Sequence, residues 1–190
     1  MKNIAITISV IISILITGCQ PTPKEVPAYR VGYNNGLPIG SFSPNLPLIT
    51  TEGKQTLFGR VAGPIMVVVF VAPPGEECCR VEPELMEMAR KFRYGYVSVV
   101  QISLPTSRCP HGPGCVEACS MFDDHLILLC DKDTIAWRGY MEPEPGTVFL
   151  VDDNNRIVDI DTFQNLEIIE RKATRLSDKL TDEYEEIFQG

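Results

Sequence analysis

The sequence predicts an α/β domain with a central mixed sheet flanked by helices and closed by a long C-terminal helix. Three observations predict it. Residues 64–73, PIMVVVFVAP, are an unbroken apolar run with four valines. A second run, YVSVVQISLP at 96–105, follows a segment of helical period. From Asn165 to Phe188 the apolar residues keep three- and four-residue spacings. Continuous apolar runs of this length read as strands covered on both faces, and the three/four spacing reads as an amphipathic helix.

The elements follow in order. Residues 64–73 form a strand inside a mostly parallel sheet. In EECCRVEPELMEMARKF (76–92), Val81, Leu85, Met88 and Phe92 share one helical face. Glu76 and Glu77 suit the positive end of that helix, and Arg90 and Lys91 suit the other. Pro83 falls inside the pattern and predicts a kink. Residues 96–105 form the second strand, and a loop of Pro, Gly and Cys runs from 106 to about 120. Residues 125–131, HLILLCD, are a short extended segment. GTVFLVDD (146–153) and RIVDID (156–161) form an antiparallel pair that turns at Asp153-Asn154-Asn155. In the last helix Leu166, Ile169, Ala173, Leu176, Leu180, Tyr184 and Ile187 face the sheet. No internal repeat is present.

The chain has 190 residues, enough for one domain with its own core. Met1, Lys2 and Asn3 form a short polar start, and Ile4–Ile16 is nearly all apolar. That run is short of the roughly 20 residues a membrane span needs and fits the h-region of an export signal. It ends in Leu15-Ile16-Thr17-Gly18-Cys19, which resembles a bacterial lipoprotein signal. The resemblance implies cleavage before Cys19, lipid (palmitate) on Cys19, and a membrane-anchored place in the cell envelope, periplasmic or on the extracytoplasmic face. Gln20 after the cysteine, where Asp is absent, points to the outer membrane in a Gram-negative host. The expected organisation is a signal peptide over 1–18, a flexible tether rich in Pro, Gly and Asn over 19–40, and a domain over 41–190. Loss of Lys2 takes the net charge from −8 to −9. An acidic chain argues against nucleic acid as a partner.

Across residues 37–188 the order of elements resembles the thioredoxin-like fold, in its redoxin branch of thioredoxins and alkyl hydroperoxide reductases. GLPIGSFSPNLPLITTEGKQTLFGRVAGPIMVVVFVAP follows the redoxin opening, with Phe42 and a TEGK turn before the central strand. LILLCDKDTIAWRGYMEPEPGTVFLVDDNNRIV resembles the second half, with a turn, a short helix and a hairpin. Phe70, Ala72 and Pro83 match the frame of a Cys-x-x-Cys site without gaps. That frame puts Gly75 at the first cysteine position and Cys78 at the second, with Cys79 as an addition. In the T-x-x-C of peroxiredoxins, Cys78 takes the place of the attacking cysteine and Gly75 that of the threonine. The arginine of that family has no counterpart directly before TVFLVD; Arg138 is nearest. Members of the fold also carry a cis-proline before this strand, which implies Pro145, with Gly146 in its frame. The resemblance thus implies a lipid-anchored thiol–disulfide oxidoreductase or thiol peroxidase with an altered Gly-Glu-Glu-Cys-Cys site. Its working residues are Cys78 and Cys79, its active-site loop Gly75, Pro145 and Gly146.

Cysteine chemistry agrees in part. Of seven cysteines, Cys19 is taken by lipid, which leaves an even number in an exported protein. A thiolate at a helix N-terminus is stabilised by free amides and by the helix dipole. Arg80 adds to this, and Glu76 and Glu77 oppose it by like charge. In a parallel βαβ unit both strands end at one edge of the sheet. Cys109, Cys115 and Cys119, in SRCPHGPGCVEAC (107–119), therefore fall on the edge that carries Cys78 and Cys79. If GCVEACSMF is helical, Cys115 and Cys119 share a face. Three readings stand. A loop cysteine resolves an exchange begun at Cys78 or Cys79. The disulfides are static and the domain is a non-catalytic binding module. Or Cys109, His111, Cys115 and Cys119 hold zinc or copper(I). Their C-x-H-x3-C-x3-C spacing matches no common zinc module. Sco-type copper chaperones share the fold but use C-x-x-x-C and a later histidine, and His125 comes too early. No cofactor is expected. The expected partners are a thiol or disulfide protein or a peroxide, and the membrane through the lipid.

Overall fold

Residues 65–70 are all buried, because a strand with no polar position must hide both faces. The computed structural model describes residues 36–49, 55–72, 81–104, 116–122, 126–131 and 134–189. Its strands are β1 (Pro47–Ile49), β2 (Gln55–Leu57), β3 (Ile65–Val71), β4 (Val97–Ser103), β5 (Val116–Phe122), β6 (Leu126–Cys130), β7 (Thr147–Val151) and β8 (Ile157–Thr162). Its helices are α1 (Phe58–Val61), α2 (Pro83–Lys91), α3 (Ile135–Gly139) and α4 (Leu166–Gln189). The strands form one mixed sheet in the order β2-β1-β5-β6-β4-β3-β7-β8. β3 pairs parallel with β4, and β4 parallel with β6. β7 runs antiparallel to β3 and forms a hairpin with β8.

Alternate residues of β3 serve two cores. Met66, Val68 and Phe70 join Phe58, Tyr140 and Phe149 on one face. Ile65, Val67 and Val69 meet Leu85 and Met88 of α2 and Ile169 and Ala173 of α4 on the other. The C-terminal helix packs on the sheet as expected through Ile169, Ala173 and Leu180, but Tyr184 and Ile187, expected on the same face, are exposed because the helix runs on past the sheet-facing core. A Lys91–Glu170 ion pair at 3.0 Å links α2 to α4 at the surface, and the Tyr96 and Tyr184 rings stack at 5.5 Å.

Two expectations fail for local reasons. The helix predicted over 76–92 with a kink at Pro83 instead starts at Pro83. Proline has no N–H to donate and clashes with the preceding turn, so it is stable at the first helical position, where neither matters. Val81 and Glu82 are not helical, and Glu82 is extended at φ −71°, ψ 126°. The segment predicted as loop or helix up to residue 120 contains β5, a strand antiparallel to β6 with a register shift between Ala118 and Ser120. Cys119 sits at that shift.

Residues 36–40, placed in the tether by the sequence, are hydrogen-bonded into the domain. Leu37 N–H donates to the Tyr140 carbonyl at 2.9 Å and Gly40 N–H to that of Ile157 at 2.7 Å. Gly36 has φ +78°, and a Cβ there would collide with the Tyr140 carbonyl, so glycine is required.

Tyr140 closes this face. Its ring meets Phe70 edge-on at 5.2 Å and Phe149 at 5.0 Å, and its hydroxyl shares a 2.6 Å hydrogen bond with Ser43 Oγ. Burial pushes the phenol up from 10.0, and the Ser43 bond opposes this more weakly. The unfolded chain releases that proton near pH 10 while the folded chain keeps it. Stability is therefore intact below pH 10 and is lost as pH rises above it, by at most about 1.4 kcal/mol per pH unit. Tyr140→Phe should flatten the fall in unfolding free energy between about pH 9 and 11. Parallel curves for the two proteins would rule this out.

Candidate active site at the sheet edge

Because β3, β4 and β6 run parallel, their C-terminal ends meet at one edge. Val71 lies in register with Ser103, and Ser103 with Cys130. Leu104 N–H donates to the Val71 carbonyl at 2.9 Å and Asp131 N–H to that of Ser103 at 3.0 Å. Gly146, leading into β7, donates its N–H to the Phe70 carbonyl at 2.7 Å and accepts from Phe163 N–H through its own carbonyl. One row of backbone thus joins the exits of β3, β4 and β6 to the start of β7.

Residues opposite each other in a sheet point to one side, and residues two apart along a strand do so too. Ser103 and Cys130 therefore face the same side as Gln101. That side is the α2 side, because the Gln101 side chain accepts the Glu82 N–H through Oε1 at 2.9 Å. Gln101 Nε2 in turn donates to Ser103 Oγ at 3.3 Å. Gln101, Ser103 and Cys130 are all buried. Cys130 is disulfide-bonded. Asp131, next in the chain, accepts the Ala136 N–H at 3.1 Å and the Trp137 N–H at 2.8 Å and so caps α3.

Several predicted site residues lie outside the described residues: Gly75, Cys78, Cys79, Cys109, His111, Cys115 and Cys19. Only the backbone of Cys119 is described, in β5, where strand geometry removes the helical face it was expected to share with Cys115. Gly146 takes a positive φ of +89° at the head of β7. Pro145 was expected in the cis form, but no cis peptide bond occurs among the described residues. The turn is made by Gly146, whose missing Cβ allows the left-handed backbone that brings its N–H onto Phe70. Cys130 and Gln101 were not anticipated. Both carried a signal: a polar residue in a strand covered on both faces, and a cysteine at the end of a strand that a parallel pairing brings to the same edge.

Among the described residues no group of His, Cys, Asp and Glu is arranged to hold a metal ion, and no helix is long and apolar enough to cross a membrane.

No protein-family model matches the sequence, and no curated protein does. Solved structures do match. The pneumococcal exposed lipoprotein thioredoxin Etrx1 of Streptococcus pneumoniae strain TIGR4 superposes with a TM-score of 0.50 at 18% identity, over 70% of this chain and 100% of that one. BsSco, a member of the Sco family of cytochrome c oxidase assembly proteins, superposes with a TM-score of 0.50 at 10% identity, over 75% of this chain and 97% of that one. The fold is thioredoxin-like. At these identities the likeness concerns the fold. Its core is β6-β4-β3-β7-β8 with α2 and α4, and β5, β1 and β2 extend the sheet beyond β6.

Proposed function

We propose that the chain is a thiol–disulfide oxidoreductase of the cell envelope, held to the membrane by lipid on Cys19, with Cys78 as its attacking sulfur. The observation that carries this reading is the disulfide-bonded Cys130 at the edge where β3 and β4 end. A cysteine pairing there supports an edge at which the thiols of 78–79 and 109–119 meet. In the forward step the Cys78 thiolate attacks a substrate disulfide, forming a mixed disulfide and expelling one substrate thiolate. A second thiolate of the chain then attacks Cys78 Sγ, closes an internal disulfide and releases the second substrate thiol. Two electrons pass from the protein dithiol to the substrate. Cys79, Cys109, Cys115, Cys119 and Cys130 are the candidates for the second thiol. With Gly75 at the first position of the motif, that thiol comes from outside the usual pair, and exchange is slower and more selective than in a general thioredoxin.

A small aromatic disulfide tests the mechanism. The reduced protein should release one aromatic thiol as Cys78 attacks the disulfide, then a second as the internal disulfide closes. Release that stops after the first would remove the resolving step. A faster reaction with hydrogen peroxide than with the disulfide would favour the peroxidase reading, for which Arg138, exposed on α3, offers little.

One observation favours a second reading. Cys130 is only 5% exposed, and shielded disulfides resist exchange. In that reading the bridges are static and the domain binds a partner without catalysis.

The anchor is tested separately. Cys19→Ala should move the protein from the membrane fraction to the soluble one. Unchanged partitioning into detergent would refute lipidation.

A further inference from the structure

We infer that residues 141–146 form a strained strap, latched shut by Trp137, whose opening frees backbone groups at the end of β3. The inference does not depend on which sulfur attacks.

α3 ends at Gly139, and the chain then turns toward β7. The Glu142 N–H donates to the Trp137 carbonyl at 2.7 Å, and the Met141 N–H to that of Arg138 at 2.9 Å. This pair of bonds is a common way to close a helix, and glycine is the usual residue at its left-handed position. Here two residues with a Cβ take that backbone in succession, Met141 at φ 61° and Glu142 at φ 57°. The left-handed region crowds each Cβ against the following carbonyl oxygen. Met141 is 58% exposed, so burial of its side chain offsets little of this. Such strain persists only where the surroundings hold it.

The holding groups are few. Trp137 Nε1 donates to the Pro143 carbonyl at 2.9 Å, and Pro143 is buried. The Glu144 carbonyl accepts the Thr147 N–H at 3.0 Å and the Thr147 hydroxyl at 2.6 Å. Buried Tyr140 and buried Thr147 fix the two ends. The strap's last residue, Gly146, donates to the Phe70 carbonyl and accepts the Phe163 N–H, both at 2.7 Å. Opening the strap therefore releases a donor and an acceptor at the end of β3, together with the amide that leads from β8 into α4. The Leu104 N–H bond to Val71 and the Asp131 N–H bond to Ser103 join parallel strands and stay closed. Strain at two residues and one indole hydrogen bond are of similar size. A change in either moves the balance between open and closed.

Amide hydrogen exchange in the full-length protein tests this at neutral pH. Regions that open locally exchange faster than those released only by global unfolding. In wild type the Gly146 and Phe163 amides should exchange together, and faster than those of Leu104 and Asp131. Trp137→Phe keeps a ring and removes the donor, and should speed Gly146 and Phe163 about fivefold with Leu104 unchanged. Met141→Gly relieves strain, and the double variant Met141→Gly, Glu142→Gly relieves more. They should slow Gly146 about threefold and about tenfold. If Gly146 exchanges at the rate of Leu104 in wild type, the strap opens only with the whole domain and the inference is overturned. Trp137→Phe speeding every amide equally would overturn the latch. Glycine variants that leave Gly146 unchanged, or speed it, would overturn the strain.

Discussion

Cys78→Ser is expected to slow disulfide exchange by about 10³-fold, in line with removal of a nucleophile that works as part of a unit. Serine at neutral pH does not attack a disulfide, so residue 78 can no longer perform the first step. Cys79→Ser is expected to lose far less in the first thiol release and more in the second. The sequence places Cys78 at the N-terminal end of a helix, where it would be activated. A thiol is activated at a helix N-terminus only within the first turn, where free amides point at it. Here α2 begins at Pro83, and the Glu82 N–H is already given to Gln101. Cys78 precedes that helix start by five residues and lies outside the described residues. Stopped-flow release of an aromatic thiol from wild type and both serine variants measures the difference. Equal rates for wild type and Cys78→Ser would show that another sulfur attacks.

Tyr140→Ala is expected to destabilise the domain by about 4 kcal/mol, the scale for emptying a buried aromatic site. The ring is fully buried between Phe70 and Phe149, and its loss also strands the Ser43 hydroxyl in the interior. Domains of this kind hold only about 5–15 kcal/mol in total, so the variant sits close to unfolding at the lower end of that range. The pinned segment at 36–40 should loosen with it, because Leu37 hydrogen-bonds the Tyr140 carbonyl. Urea unfolding followed by far-ultraviolet circular dichroism gives the free energy directly. A loss below about 1 kcal/mol would mean the site collapses around the missing ring.

The parts legible in the sequence are those set by period and by burial on both faces. The valines of β3 and β4, the hairpin of β7 and β8, and the long α4 each carry their own hydrophobic pattern. The parallel pairing of β3 and β4 follows from the helix between them. β1 and β2 are three residues each, too short for any period, and exist only through their pairing with each other and with β5. β5 was hidden because VEACSMF alternates poorly and follows a Pro- and Gly-rich stretch. Its strand state comes from the neighbouring β6, a tertiary effect. Pro83 was legible as a helix residue and was expected to kink the helix, but it starts it, with extended Glu82 before it. At the site, Cys130 escaped notice because HLILLCD alone does not say which strand it joins. Once β6 lies parallel beside β4, its last residue must reach the edge. Gln101 escaped because one polar residue in an apolar strand says only that a partner exists. The partner, the N-cap of α2, is visible in three dimensions alone.

The most direct measurement is a redox titration of the full-length protein in glutathione buffers, with mass-spectrometric mapping of every cysteine at each potential. The exchange mechanism predicts that Cys78 passes reversibly between thiol and disulfide within the range of known oxidoreductases, about −270 to −120 mV, and that its disulfide partner lies among Cys79, Cys109, Cys115, Cys119 and Cys130. A Cys78 that stays a free thiol at every potential, or one locked in a bridge that opens only below about −300 mV, would contradict it and leave a binding module with structural disulfides.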